Sequence, residues 1–278
     1  MNRKEAFSIA IAVFFIAAAL PAWAGGLYKP SSKNPEAQKL IDQAWALSRT
    51  DSSAELFKQC VSWMEQADKL DPDNPTILID ISIYYWEYGD SLPKQTPEQK
   101  KNLEAIYAKG LAAAEKSIKL KETPPGVYWA AVNKAAGLEF SSIFAQAAAF
   151  PGLYKQTHYV IDHDPDYDYG APGRLWSEIL SRVPKKVVEI VGRKYVTEAM
   201  DLINAAIKQE PRFQDNYNYK ARFIYIYFDN KDEALKLLDT ELKMAPDVFP
   251  EEAVSNRVAQ RTARQLWKKI TGKEYPQR

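Results

Sequence analysis

The sequence predicts an all-α fold: a tetratricopeptide-like superhelix of about five helix hairpins, followed by a C-terminal capping helix. Three observations predict it. From Pro35 onward nearly every segment carries apolar residues at helical spacing, without strand-like alternation. Helices are punctuated by proline at Asp71-Pro72, Asp164-Pro165, Glu210-Pro211 and Ala245-Pro246. The same compact face recurs ahead of each of these stops.

That face is read by stepping backward from each proline. Ala67, Met64 and Cys60 precede Pro72; Ala206, Ile203 and Ala199 precede Pro211 at the same offsets. Glu241, Leu238 and Ala234 precede Pro246, and Val160, Thr157 and Leu153 precede Pro165. Steps of three and four put each trio on one helix face, where small side chains let a neighbouring helix approach. Pro211 and Pro246 are 35 residues apart, close to the tetratricopeptide period of about 34. Pro165 to Pro211 spans 46 residues and Pro72 to Pro165 spans 93. The longer interval therefore holds two units, and its missing stop falls at Glu122-Thr123-Pro124, after Gly110, Ala114 and Ser117. The longer units carry extended loops at Ser91–Pro97 and Val183–Arg193. A final helix over Glu251–Ile270 caps an array whose units bury their cores only against neighbours.

Helix starts carry their own marks. Ser52-x-x-Glu55, Thr96-Pro97-x-Gln99 and Asn230-x-x-Glu233 each place a side-chain acceptor over otherwise unsatisfied backbone N–H groups. The first helix of each hairpin is the aromatic one: Ile77–Tyr88, Val127–Phe140, Gly173–Leu180 and Gln214–Phe228. First helices face the concave side of such a superhelix, so 16 tyrosines and 7 tryptophans point to a partly exposed aromatic groove.

The first 24 residues stand apart. Arg3 and Lys4 precede an apolar run from Ala6 to Leu20, then Pro21 and the small-x-small Ala22-Trp23-Ala24. This is the pattern of a secretory signal peptide cut after Ala24, and the run is short for a spanning anchor. With no cysteine at the site, a lipoprotein anchor is not expected. Residues 25–36 then form an irregular arm, and residues 37–278 a single repeat domain. Without the leader, 35 basic and 35 acidic residues remain, and this balance excludes the basic excess of a nucleic-acid binder. The lone Cys60 sits among apolar helical positions and reads as a small core residue.

The stretch Tyr167-Asp168-Tyr169-Gly170-Ala171-Pro172-Gly173-Arg174-Leu175-Trp176, then Pro184 and the Ala199…Ala206…Pro211 hairpin, resembles the TatT component family. These are periplasmic tetratricopeptide-like proteins associated with tripartite ATP-independent periplasmic (TRAP) transporters. Gly126-Val127-Tyr128-Trp129-Ala130-Ala131-x-x-x-Ala135 is similar to the family's third-unit helix, and the resemblance covers most of residues 37–270. It implies a superhelix with a groove or central pore, oligomerisation, and docking to an extracytoplasmic substrate-binding protein. Some family members are lipoproteins, whereas this chain is expected to be soluble after cleavage, and it carries Gly170-Ala171-Pro172-Gly173 where a glycine pair usually precedes the arginine.

Candidate binding residues follow from the groove. Arg174 lies beside turn glycines and near Trp176, placed either to clamp a carboxylate ligand or to form a structural salt bridge with Asp166 or Asp168. Tyr128, Trp129, Asn133 and Lys134 share one helix, Asn218 and Arg222 stand four apart on another, and Tyr169 sits in the turn. Asp162–Asp168 lacks the glycine and glutamate of a calcium loop and reads as a solvated connection. His158 and His163, five apart, are poorly spaced for a metal pair. No nucleophile motif or phosphate loop is present, so no catalytic residue, cofactor or metal is expected. The leading expectation is an exported binding or adaptor protein of a TRAP-type system, holding a small organic acid, an apolar ligand or a partner's peptide segment. The alternatives are an assembly factor of the cell envelope without a transport role and, more remotely, a hydrolase.

Overall fold

The computed structural model describes residues 29–182 and 194–276. The predicted leader, the first residues of the arm, Pro184 and the Val183–Arg193 loop lie outside the described residues.

Eleven α-helices and no strand occur among the described residues. They are α1 Pro35–Ser48, α2 Ala54–Leu70, α3 Pro75–Asp90, α4 Pro97–Leu120, α5 Pro124–Leu138 and α6 Ile143–His163. After a short 3-10 turn at Tyr167–Tyr169 follow α7 Ala171–Arg182, α8 Lys194–Gln209, α9 Asp215–Phe223, α10 Lys231–Leu242 and α11 Ala253–Thr271. Each odd helix packs on the even helix after it, and each even helix on the next odd one. The result is the expected series of five hairpins with a closing helix. No helix among the described residues is long and apolar enough to cross a membrane.

The recurring faces are where the hairpins close. Cys60, Met64 and Ala67 have no exposed surface, nor do Ala199 and Ile203, nor Ala234, Leu238 and Glu241. Val160 and Thr157 are equally sealed, as are Ala114 and Ser117 in the unit without a proline stop of its own. Burial is distributed along the array in three apolar clusters, centred on α1–α3, α3–α8 and α9–α11. This is what a fold built from nearest-neighbour contacts requires.

The caps behave as their chemistry dictates, with one correction. Thr96 and Gln99 form both bonds of a capping box, and Asn230 accepts from the Glu233 N–H at 3.1 Å. The cap of α2, however, is Ser53, which accepts from the Leu56 N–H, and the predicted Ser52 lies one residue too early. The final helix starts at Ala253, two residues after the predicted Glu251, because the 3-10 turns Pro246–Val248 and Pro250–Glu252 precede it. The last aromatic first helix is regular only to Phe223, then widens into a π-helical turn at Ile224–Phe228 that ends on left-handed Asp229.

The two ends of the array meet. One guanidinium nitrogen of Arg261 on α11 donates to the hydroxyl of Ser52, just before α2, at 2.6 Å. Residues of α1 and α11 line the same cavity, so the superhelix closes on itself around a central space.

Candidate functional site

The central space is a cavity of about 900 Å³. Its wall is built mainly from the odd-numbered helices, one after another, and the even helices form the outer layer. A hairpin stack that curves this way turns its first helices inward, so the aromatic helices of the sequence become the lining.

Each helix presents one face. On α3 the lining residues include Asp80, Ile83, Glu87 and Asp90, which steps of three and four hold on one side. On α5 they include Tyr128, Trp129 and Val132; on α7, Arg174, Glu178 and Arg182; on α9, Asp215, Tyr219 and Arg222. The aromatic wall is continuous: Trp86 lies 5.6 Å from Trp129, and Trp129 lies 5.2 Å from Tyr128 in an edge-on contact. The Trp129 indole N–H donates to the Tyr167 hydroxyl at 2.9 Å, which fixes the ring and satisfies its one polar atom.

The turn before α7 is wound tightly to serve Arg174. Asp168, Tyr169 and Gly170 all have positive φ, at 45°, 55° and 86°. Only glycine takes such a conformation freely, and the two non-glycine residues carry local strain. The turn brings the Asp168 and Tyr169 carbonyls and the Asp168 carboxylate onto one guanidinium, at 2.8, 3.1 and 2.5 Å. Asn216 Oδ1 accepts a fourth N–H at 2.9 Å, and the guanidinium lies 4.7 Å over the Phe213 ring. Of the two sequence readings of Arg174, the structural salt bridge to Asp168 is therefore the one formed.

Three of the other five cavity cations, Arg222, Arg182 and Lys94, are also engaged. Arg222 donates to one oxygen of Glu178 at 2.6 Å and Arg182 to the other at 2.8 Å. Arg182 also reaches Glu139 at 3.1 Å, and Lys94 reaches Glu139 at the same distance. Burial would raise both carboxyls, but Arg222 and Arg182 hold Glu178, and Arg182 and Lys94 hold Glu139, below the usual range. Elsewhere on the cavity wall the carboxyls go up. Burial raises Asp80 well above its ordinary value, only partly offset by Arg49. Burial, with Asp90, Asp168, Asp215 and Glu252 adding repulsion, pushes Glu87 up to about 8. Burial likewise raises Asp215 and Glu252.

Tyr128, Trp129, Arg174 and Arg222 thus stand where the sequence placed them, on the cavity wall. The others do not. Asn133 is buried between helices, its amide donating to the Ser82 carbonyl and hydroxyl and to the Trp129 carbonyl. Lys134, the next residue, is turned toward Gly152 on α6. Trp176 is fully buried in a second aromatic cluster with Phe150, Tyr154 and Tyr195, on the side of α7 away from the cavity. Tyr169 stacks between Phe213 and Phe249, 5.0 and 5.1 Å away. Asn218 is locked to Glu241 and the Ala259 carbonyl, one helix step off the lining face of α9. For Asn133, Lys134, Trp176 and Asn218 the cause is helix geometry, each residue pointing about 100° away from its neighbour; Tyr169 is turned outward by the left-handed turn it sits in.

Asp80, Glu87, Asp90, Glu178 and Asp215 were missed by sequence reasoning. A signal for three of them was present: acidic residues along an otherwise largely apolar helix, seven and three apart on one face. The histidines serve local roles, His158 bonded to Glu198 at 2.6 Å and His163 stacked on Tyr159. Among the described residues no group of three or more His, Cys, Asp or Glu is arranged to hold a metal ion. Cys60 is buried, with its thiol pushed up to about 12 by burial. No protein-family model matches the chain, and no curated protein does.

Proposed function

We propose that this chain is an exported binding protein whose closed ring of helix hairpins encloses a small organic ligand. The observation that carries the reading is the cavity: about 900 Å³, walled by aromatic rings and by charged groups that converge from α3, α7, α9, α11 and the turns beside them. Ligand sites have this size and this mixture of apolar wall and few placed polar groups. The leader-like segment at residues 1–24 supports export. The resemblance to the TatT component family supports a place beside a TRAP-type transporter, where the outer layer of even helices would dock a substrate-binding protein.

Native mass spectrometry tests both halves. The purified protein, mixed with the substrate-binding protein of a TRAP system from the same source at micromolar concentration, should give a complex, a retained small molecule, or both. Neither complex nor ligand would count against the reading. Capture of a non-transport envelope protein from periplasmic extract would favour the assembly-factor alternative.

A further inference from the structure

We propose that the cavity takes a small organic cation, an amine or quaternary ammonium, with its charge beside Glu87 and Asp215 and its carbon frame against Trp86, Trp129 and Tyr128. This rests on the reading of the cavity as a ligand site and assigns the chemical class of the occupant.

The first support is the state of the cations. Arg174 has spent four N–H donors on Asp168, Tyr169 and Asn216, and Arg222, Arg182 and Lys94 are tied to Glu178 and Glu139. Arg49 lies 4.0 Å over the Trp45 ring. An anionic ligand that recruited any of the four paired cations would have to break a pair and leave a buried carboxylate uncompensated. Among the described residues only Arg49 and the exposed Arg257 on the wall stand outside ion pairs, against six lining acids, Asp80, Glu87, Asp90, Asp215, Glu251 and Glu252, that form none.

The second is the state of the carboxylates. Nine acidic residues and six basic ones line the cavity, and the excess is concentrated on α3 and around the start of α9. Asp80 is 2% exposed, and its Oδ1 has no hydrogen-bond partner. That oxygen is itself sealed from the cavity, so it marks an uncompensated polar group just behind the wall rather than a contact atom. The charged groups that act on Glu87 are Asp90 on its own helix, Asp168 in the turn, Asp215 on α9 and Glu252 before α11, all of one sign. An ammonium group there displaces nothing and relieves that repulsion.

The third is the wall itself. Trp86, Trp129 and Tyr128 present electron-rich faces and edges beside this acidic side, the setting in which ammonium groups bind to aromatic rings. The carboxylates are not gathered tightly enough for a metal ion among the described residues, which leaves a cation with a carbon frame.

Isothermal titration calorimetry at pH 8.5, above the value of about 8 to which Glu87 is raised, decides it, with choline, putrescine and spermidine as cationic probes and succinate as the anionic one. At least one amine is expected to bind, succinate is not, and Glu87→Gln and Asp215→Asn should each weaken the amine by about tenfold or more. Both substitutions remove charge with little change of shape, and circular dichroism checks that the variants fold. Binding of succinate alone overturns the cation assignment and leaves the ligand-site reading standing. Amine binding that neither variant weakens also overturns the assignment, because the charge then sits elsewhere. Binding of no probe of either charge overturns the assignment and weighs against the ligand-site reading too.

Discussion

Arg261 and Ser52 are 209 residues apart in sequence and hydrogen-bonded at 2.6 Å. That contact joins the two ends of the curved stack, and the cavity, still open to solvent, lies inside the ring. The contact is exposed and worth little by itself; its importance is geometric. Replacing both residues, as Ser52→Cys and Arg261→Cys, should let a short bis-maleimide join the two ends within one chain. Cys60 will not compete, being buried with an unreactive thiol. Faster migration of the adduct on a denaturing gel is the expected result, and an unchanged band would mean that the ends stand apart in solution.

Asp168 is the charge partner of a guanidinium that is only 5% exposed. Asp168→Asn keeps a residue that tolerates the left-handed backbone and removes only the charge. Breaking a buried pair from one side costs about 3–5 kcal/mol. Urea denaturation should show a loss near the lower end of that range, since the carbonyls and Asn216 remain on Arg174. A loss under about 1 kcal/mol would mean that water in the cavity takes over the role of the carboxylate.

Gly170 has φ 86°, and a Cβ there would meet the Ala206 Cβ at 2.3 Å. Gly170→Ala combines left-handed strain with a clash against a packed helix. The expected destabilisation is more than about 2 kcal/mol, measured by chemical denaturation. Gly272, also left-handed but with nothing nearby, is the control: Gly272→Ala meets the strain alone and should cost about 1 kcal/mol.

Stability should fall as pH rises from about 5 to 8. Glu87 has an ordinary value of 4.5 and about 8 in the folded chain, so the folded state holds the proton more tightly. Its contribution is complete below the unfolded value and is lost as pH rises through the folded one. Asp80, Asp215 and Glu252 are raised as well and act in the same direction. Glu178 and Glu139 are lowered and act oppositely, their contribution being lost as pH falls below the usual carboxylate range. Thermal melts of the ligand-free protein should therefore lose several degrees, about 5 °C, between pH 5 and 8. Glu87→Gln should flatten that slope, and an unchanged slope would remove Glu87 as a contributor.

Glu241 is fully buried, accepts from the Asn218 amide at 2.9 Å, and is raised well above its ordinary value by burial and by Asp215. It sits in the sequence trio otherwise made of Leu238 and Ala234, as an acid in an apolar seam. Glu241→Gln should change stability by less than about 1 kcal/mol, whereas Glu241→Ala should cost about 2–4 kcal/mol by opening a void and orphaning Asn218. Equal effects of the two would mean that the carboxyl is ionised.

Much of the fold was legible because its signals are local. The Thr96 box and the trios Cys60-Met64-Ala67 and Ala199-Ile203-Ala206 depend only on helical spacing and nearest-neighbour packing. The site was legible only in part. The aromatic first helices identify the inner layer, but Trp176 and Trp129 look alike in sequence and point to opposite sides of that layer. Asp80 looks like a misplaced surface acid until α3 is seen to be covered on its other faces.

By itself, the sequence determined the helices, where they stop, and which face of each hairpin is sealed, since these follow from capping, proline geometry and periodicity within a few turns of chain. Only the tertiary structure decided that Arg261 reaches Ser52, that Arg174 is held by Asp168, and that acids from α3, α9 and the turn before α11 look into one space. Those relations depend on the curvature accumulated over five hairpins. Small differences in each packing angle add up along the stack, and no single segment encodes their sum.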